Sequence, residues 1–338
     1  MSKIETLHTH TTSSDGKLSH RELFLLAESL DIAVLAFTDH DALPTPEIMN
    51  ELEGFRGNTT KWVTGIEITA GMPKEISGDT GSAHIIGLFV DPTNANLLTH
   101  CLKAQEDRIK RMQKMVSSLQ NLGFEITEND CLEASGGDSV GRPHVVEALR
   151  KYPGNTVVME KMRLEMAKES EQNPELQERY NYMMGKRERS YPYSLFLTHG
   201  AFREAYAEHE YLPDLDEAVS LIRNAGGVAI IAHYFTIRRK MPLDMLEKIL
   251  SEKRIDGVEV VYGIGEYKTD REKIIHVERQ TLRELAQKYN ALALGGSDAH
   301  SKEDLEYYAE NEWFSRETAG FTEKILATGK VNKKFSSL

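Results

Sequence analysis

Short apolar runs alternate with helical periodicities along most of the chain. The runs lie at 3–10, 32–40, 61–69, 83–91, 226–234, 256–262 and 291–300, rich in Val, Ile, Leu or Ala and bounded by Gly, Asp or Asn. Runs of this length and bounding predict buried strands. Between them, apolar residues recur at helical spacing in "SHRELFLLAESL" (19–30), "LDEAVSLIRNAG" (215–226) and "ERQTLRELAQKYN" (278–290). Ser19, with Glu22 three residues on, predicts a capping box at the first of these helices. Strand–helix alternation predicts an α/β fold with a largely parallel sheet, and seven strands suggest a barrel.

The rhythm breaks between about 97 and 214. The stretch "LLTHCLKAQEDRIKRMQKMVSSLQNLGF" (97–124) reads as one long amphipathic helix, and 155–190 is charged, Met-containing and helical in pattern. A helical insertion into the α/β domain is expected over 99–214. That leaves a discontinuous core of 1–98 with 215–310, and a C-terminal extension, 311–338. The tail "ATGKVNKKFSSL" (327–338) reads as a poorly packed end. In "RIKRMQK" (108–114) the basic residues read as the solvated face of the long helix.

Composition narrows the function. The formal net charge of -12 over 338 residues repels polyphosphate, so long duplex nucleic acid is a poor partner. A small phosphorylated substrate held through metal stays compatible with that charge. The two cysteines, Cys101 and Cys131, form no metal-type pair and imply no disulfide framework. The opening "MSKIETLHTH" has no apolar leader and no run reaches membrane-spanning length, so the expectation is a cytoplasmic protein without a membrane partner.

The apolar runs end in metal-type ligands. His8 and His10 close the first, His40 the second in "FTDHD", and Glu67 lies near the end of the third in "GIEIT". His233 closes the fifth in "IIAHY", and Asp298 and His300 close the seventh in "GGSDAH". In a parallel barrel the carboxyl ends of the strands share one face, so distant residues converge there. His8 and His10, at i and i+2 on a strand, point to one side, as do Asp298 and His300. Asp15 follows in a turn that can fold back over the strand end. His84 fits less well, because it precedes its apolar run. Each motif alone has a bland reading: a surface "HxH", a helix cap, a core-edge histidine. Joint placement at strand ends is what carries the metal reading. Nine ligands exceed the needs of one ion, so two or three divalent ions with a bridging carboxylate are expected. Imidazole with carboxylate suits Mn, Fe or Zn, and Mg is compatible.

Together, "HTHTTSSDG", "FTDHD", "GIEIT", "AHIIGL", "IIAH" and "GGSDAH" resemble the motifs of the PHP (polymerase and histidinol phosphatase) superfamily of metal-dependent phosphoesterases. The TrpH/YciV-like subgroup is the most similar, over roughly 4–150 and 215–302. The resemblance implies a distorted seven-stranded (β/α)7 barrel with an inserted helical domain that forms part of the substrate pocket. It implies that His8, His10, Glu67 and Asp298 hold one ion. Glu67 would bridge to a second, held also by His84 and His233, and Asp15, His40 and His300 would hold a third. "VGRPHVVEAL" (140–149) resembles the insertion's substrate motif, which would set Arg142 and His144 on the substrate phosphate, His144 as donor or leaving-group acid. Where the family continues with a Pro-Gly-Arg turn, this chain reads "AHYFTIRRK" (232–240).

The implied activity is hydrolysis of a 3′,5′-nucleotide bisphosphate such as pAp, or of short 5′-phosphorylated oligonucleotides, by a metal-activated hydroxide. Glu259 and Tyr262, at the sixth strand end, are candidate pocket residues, with packing an equal alternative. Competing readings are an amidohydrolase-like hydrolase acting on C–N bonds, a histidinol-phosphate-type phosphatase, and a non-catalytic metal-binding module.

Overall fold

The computed structural model describes residues 4–76, 81–136, 139–184, 192–262 and 272–338. All seven apolar runs contribute strands: β1 (Glu5–Thr6), β2 (Val34–Phe37), β3 (Lys61–Gly71), β4 (Ser82–Leu88), β5 (Val228–Ile231), β6 (Gly257–Val261) and β7 (Leu292–Gly295). They form one sheet in chain order, β1 to β7. Every residue of β2, β5 and β6 is buried, as expected of strands covered on both faces. The sheet curls until its ends meet: Leu7 N donates to Gly295 O at 3.2 Å, and Thr9 bridges Ala299 in parallel.

The sheet is not wholly parallel. β1–β2, β2–β3, β5–β6 and β6–β7 pair in parallel, but β4 runs antiparallel to both β3 and β5. Only residues 72–81 join β3 to β4. That link is too short for the dozen or more residues of a parallel crossover.

The chain divides into two compact units, one of residues 1–104 with 212–338 and one of residues 105–211. In the first, the helix α1 (His20–Ser29) starts with both halves of the expected capping box in place. The helix α2 (Pro46–Glu53) follows β2, capped by Thr45. Trp62, Ile66, Ile68, Ile85 and Ile230 are among the buried residues of this unit's core.

The helix α3 (Ala95–Asn121) supplies the predicted long amphipathic helix. The second unit continues with α4 (Glu128–Ser135), α5 (Arg142–Arg150), α6 (Gly154–Ser170) and α7 (Pro174–Met184). Its core is separate and rich in Met and Phe, with Met112, Met115, Phe124 and Phe196 buried. Of the 155–190 stretch, residues 185–190 lie outside the described residues. No helix of the described residues is long and apolar enough to cross a membrane.

Two expectations need correction. The C-terminal tail is packed. Ser337 N donates to Trp62 O and Trp62 N to Ser337 Oγ, both at 2.9 Å, while Ser336 bridges Val63. Residues 61–64 of β3 extend past the end of β4, and the tail there satisfies the backbone N–H and carbonyl of Trp62. The "RIKRMQK" stretch is likewise not one solvated face. Lys110 and Lys114 are exposed, but Arg108 and Arg111 are buried.

Candidate metal centre

The antiparallel course of β4 settles the place of His84. The first residues of β4 stand on the rim where the other strands end, and Thr69 of β3 is paired with His84. His84 therefore reaches the rim by leading its strand, as the other ligands do by closing theirs.

All nine ligand candidates converge on this rim. Their donor atoms form four overlapping groups: His10, Asp15, His40 and His300; His8, His233 and Asp298; His8, His10 and Glu67; and His40, Glu67 and His84. Within each group the donor atoms lie within 4.8 Å of one another. Glu67 is the hub. Its Oε2 lies 3.4, 3.3 and 2.9 Å from His8 Nε2, His10 Nε2 and His40 Nδ1. Its Oε1 lies 3.0 Å from both His84 Nδ1 and His233 Nε2. Asp298 Oδ1 faces His8 and His10 at 3.4 and 3.2 Å, and Asp15 Oδ1 faces His300 Nε2 at 3.3 Å.

The donor set fits divalent cations. Glu67 Oε2 and Asp15 Oδ1 are buried and make no hydrogen bond, although imidazole nitrogens stand close by. Short separations without hydrogen-bond alignment are what atoms show when their lone pairs point at a common centre. A buried carboxylate oxygen left so would be costly without a cation. The charge environment agrees. Burial opposes ionisation of Glu67, yet His40, His84 and His8 hold its carboxyl well below the usual range. Asp15 is held down likewise by His300 and His40, against burial.

Neighbouring groups fix which nitrogen each ring presents. His300 Nδ1 faces the carbonyl of Asp298 at 2.9 Å, so Nδ1 carries the proton and Nε2 is left with the lone pair that could bind a cation. Thr236 Oγ1 donates to His233 O, so it accepts from His233 Nδ1 at 3.1 Å. Ser14 Oγ donates to Asp39 Oδ1 at 2.7 Å and is placed 3.4 Å from His10 Nδ1.

Backbone geometry is tight here. His233 has φ 25 and ψ 56, and Asp298 has φ 52. Such conformations in non-glycine residues concentrate at functional sites. A Cβ on Gly296 would stand 2.3 Å from His8 N, and one on Gly16 would stand 2.3 Å from His10 O. Both glycines let backbone press against the segment carrying the paired histidines.

Sequence reasoning missed the groups that hold the ligands. Asp39, one residue before His40, accepts from Thr11 N and Ser14 Oγ at 2.7 Å and from Thr11 Oγ1 at 2.8 Å. It ties down the loop that carries Asp15, which gives Thr11 and Ser14 a role. Asp41, one residue after His40, accepts from Thr69 N and Thr69 Oγ1 at 2.9 Å and contacts His100 Nε2 at 3.2 Å. The signal was present: "FTDHD" carries three consecutive polar, chemistry-bearing residues at a strand end. Glu259 and Tyr262 are each 1% exposed, and Glu259 contacts His8 Nδ1 and the backbone N–H of His233. Tyr262 donates to Glu278 at 2.9 Å and accepts from Phe235 N, a packing role. Arg238 ion-pairs with Glu278 at 3.6 Å, and Arg239 is exposed.

The helical unit holds its own cationic cluster. Arg142 starts α5, donates to Leu197 O at 3.4 Å and lies over the rings of Tyr193 and Tyr206. Arg111 donates to Ala207 O and lies 4.9 Å from the Tyr206 ring. Burial lowers the Arg111 guanidinium to about 10, Tyr206 opposing while Arg142 and Arg108 add to the fall. His144 is buried, and its Nδ1 accepts from Gly141 N at 2.9 Å, capping α5.

No protein-family model matches the chain. A 3′,5′-nucleoside bisphosphate phosphatase of Chromobacterium violaceum is 24% identical over 304 residues, 88% of this chain and 91% of the relative. A 5′-3′ exoribonuclease of Haemophilus influenzae is 26% identical over 305 residues, covering 89% and 91%. Over most of its length the chain is thus similar to enzymes that hydrolyse phosphoesters. A solved structure from Bifidobacterium adolescentis, described as that of a metal-dependent phosphoesterase, has a similar fold, with a TM-score of 0.64, 23% identity and 89% of each chain covered.

Proposed function

We propose that this protein is a metal-dependent phosphoester hydrolase acting on a 3′,5′-nucleotide bisphosphate such as pAp, or on short 5′-phosphorylated oligonucleotides. The observation that carries the reading is the convergence of nine imidazole and carboxylate donors around Glu67. The relatives' activities, on nucleoside bisphosphates and on RNA from its 5′ end, supply the substrate class.

In this reading three sets of ligands hold two or three ions of Mn, Fe or Zn, with Mg compatible. His8, His10, Glu67 and Asp298 form one set. Glu67, His84 and His233 form the second, and Asp15, His40 and His300 the third. Bound divalent ions would neutralise phosphoryl oxygens and activate a water for attack near neutral pH. The chain's own part is to hold the ligands rigidly. Glu67 stays ionised among five imidazoles, and hydrogen bonds through Nδ1 direct the Nε2 atoms of His233 and His300 inward. Bound cations would offset the local negative charge of Asp15, Glu67 and Asp298 and let an acidic protein accept an anionic substrate.

Arg142 is the proposed reader of substrate phosphate. Its described partners are a carbonyl and two tyrosine rings, so its planar fork is suited to a bidentate oxyanion contact. Arg111 would raise the positive potential beside it. For His144, whose Nδ1 is committed to the α5 cap, a substrate contact would fall to Nε2.

The test combines metal analysis of purified protein with a panel of pAp, nucleoside monophosphates, 5′-phosphorylated oligonucleotides and histidinol phosphate. Phosphate release that requires divalent metal and favours the nucleotide substrates is expected. A metal-loaded protein inert on all of them, or one releasing amine from C–N substrates, refutes the proposal.

A further inference from the structure

Glu259 divides one buried carboxylate between two metal-type ligands. Its Oε1 lies 3.1 Å from His8 Nδ1, and its Oε2 accepts the backbone N–H of His233 at 2.8 Å. His8 follows β1 and His233 follows β5, so a side chain of β6 reaches ligands delivered by two other strands. The partner atoms differ in kind. In His8 it is the ring nitrogen turned away from the ligand cluster, since Nε2 faces Glu67 and Asp298 at 3.4 Å. In His233 it is the backbone of a residue at φ 25 and ψ 56. Such a conformation costs roughly 1–3 kcal/mol and persists only where the surroundings enforce it.

We propose that Glu259 is a positioning residue that locks the His8 ring in its Nδ1–H form and holds the strained His233 backbone, so that metal binding through both ligands depends on this one carboxylate. An ionised carboxylate only accepts hydrogen bonds, and both partners here are donors. The match is specific to a carboxylate. A glutamine of the same shape can accept from one partner but must turn its NH2 group toward the other, donor against donor. Carboxylates that orient a ligand imidazole raise its basicity and fix its tautomer. Glu259 does this for one ligand and restrains the main chain of a second. It touches neither substrate nor reacting atoms, and it acts through His8 and His233. The inference rests on the metal reading proposed above.

The experiment titrates metal-stripped protein with Mn2+, following free Mn2+ by electron paramagnetic resonance, for wild type and Glu259→Gln. No substrate is needed. The expected result is a loss of about 10–100-fold in affinity at the sites that use His8 and His233, in a variant that still folds. A residue that served only to pack the sheet would lower stability and leave affinity alone, and unchanged affinity in Glu259→Gln overturns the proposal. A wild-type protein that binds no Mn2+ would instead sink the metal reading itself, so the two failures are separable. If Glu259→Gln does not fold, wild type loaded with diamagnetic Zn2+ still decides. Long-range 1H–15N spectra, with His8→Asn for assignment, must show the His8 ring protonated at Nδ1, and an Nε2–H ring overturns the assignment.

Discussion

Asp39 offers a direct test of how the ligand loop is held. Its carboxylate is 2% exposed and accepts three hydrogen bonds, from Thr11 N, Ser14 Oγ and Thr11 Oγ1. At about 1.5 kcal/mol for each hydrogen bond to a charged acceptor, the three sum to roughly 4–5 kcal/mol. Asp39→Ala removes all three acceptor contacts and leaves two hydroxyls and an amide to find new partners inside the protein. Against a total stability of about 5–15 kcal/mol, that is a large fraction. Asp39→Asn keeps one acceptor oxygen for Thr11 N and Ser14 Oγ and turns its amide toward Thr11 Oγ1, a hydroxyl able to accept. Its predicted cost is about 1–2 kcal/mol. The consequence for metal is local. Asp15 lies in the tethered loop and groups with His10, His40 and His300, whereas His8, His233 and Asp298 are held by other segments. Urea unfolding of both variants measures the stability change, and Mn2+ titration of the folded Asp39→Asn protein measures the site. Weakening confined to one class of site is expected. Equal stability for wild type and Asp39→Ala, or uniform weakening of every site in Asp39→Asn, refutes the reasoning.

Three further outcomes follow from the same geometry. Gly296→Ala places a Cβ against His8 N and Cβ, so overpacking of about 1–3 kcal/mol and reduced metal content are expected by urea unfolding and metal analysis. Deleting residues 335–338 removes the bonds from Trp62 N, Thr64 Oγ1, Arg56 and Ser337 N that join the tail to β3. A loss of about 2–4 kcal/mol with KM unchanged is expected, and an unaltered melting temperature refutes the packed tail. His209, beside Asp107, is pushed down to about 4 by burial and by Arg111 and Arg108. The unfolded chain therefore binds the proton that the fold refuses, and this stability, full above about pH 6.5, is lost as pH falls toward 4. Between pH 7 and pH 5 the loss is about 2 kcal/mol. His209→Gln should unfold with correspondingly less acid sensitivity, and identical pH dependence in the two proteins refutes the assignment.

How far the chain could be read beforehand depended on which physical signals are local. Burial is local. A residue such as Ile230 must leave water whatever the topology, so all seven apolar runs announced themselves as strands. Ligand identity is local too, because an imidazole at a strand end is visible in "IIAHY" without knowing its neighbours. Strand direction is not. The run at 83–91 has the same composition whether it points up or down, and only the ten-residue link at 72–81 constrained it. That single reversal is why His84 looked misplaced and is not. Support is the least local property. Glu259 sits in "DGVEVVY" among apolar neighbours, where the alternation sends its side chain inward, but nothing in seven residues shows that His8, 251 positions away, stands opposite. The same holds for Arg108 and Arg111, whose burial reverses what a charged helix face suggests. A more general rule follows for chains of this kind. Ligands can be proposed from the ends of apolar runs. The polar residues one step away from them, Asp39 and Asp41 here, should be assigned as supports before being set aside as caps or surface.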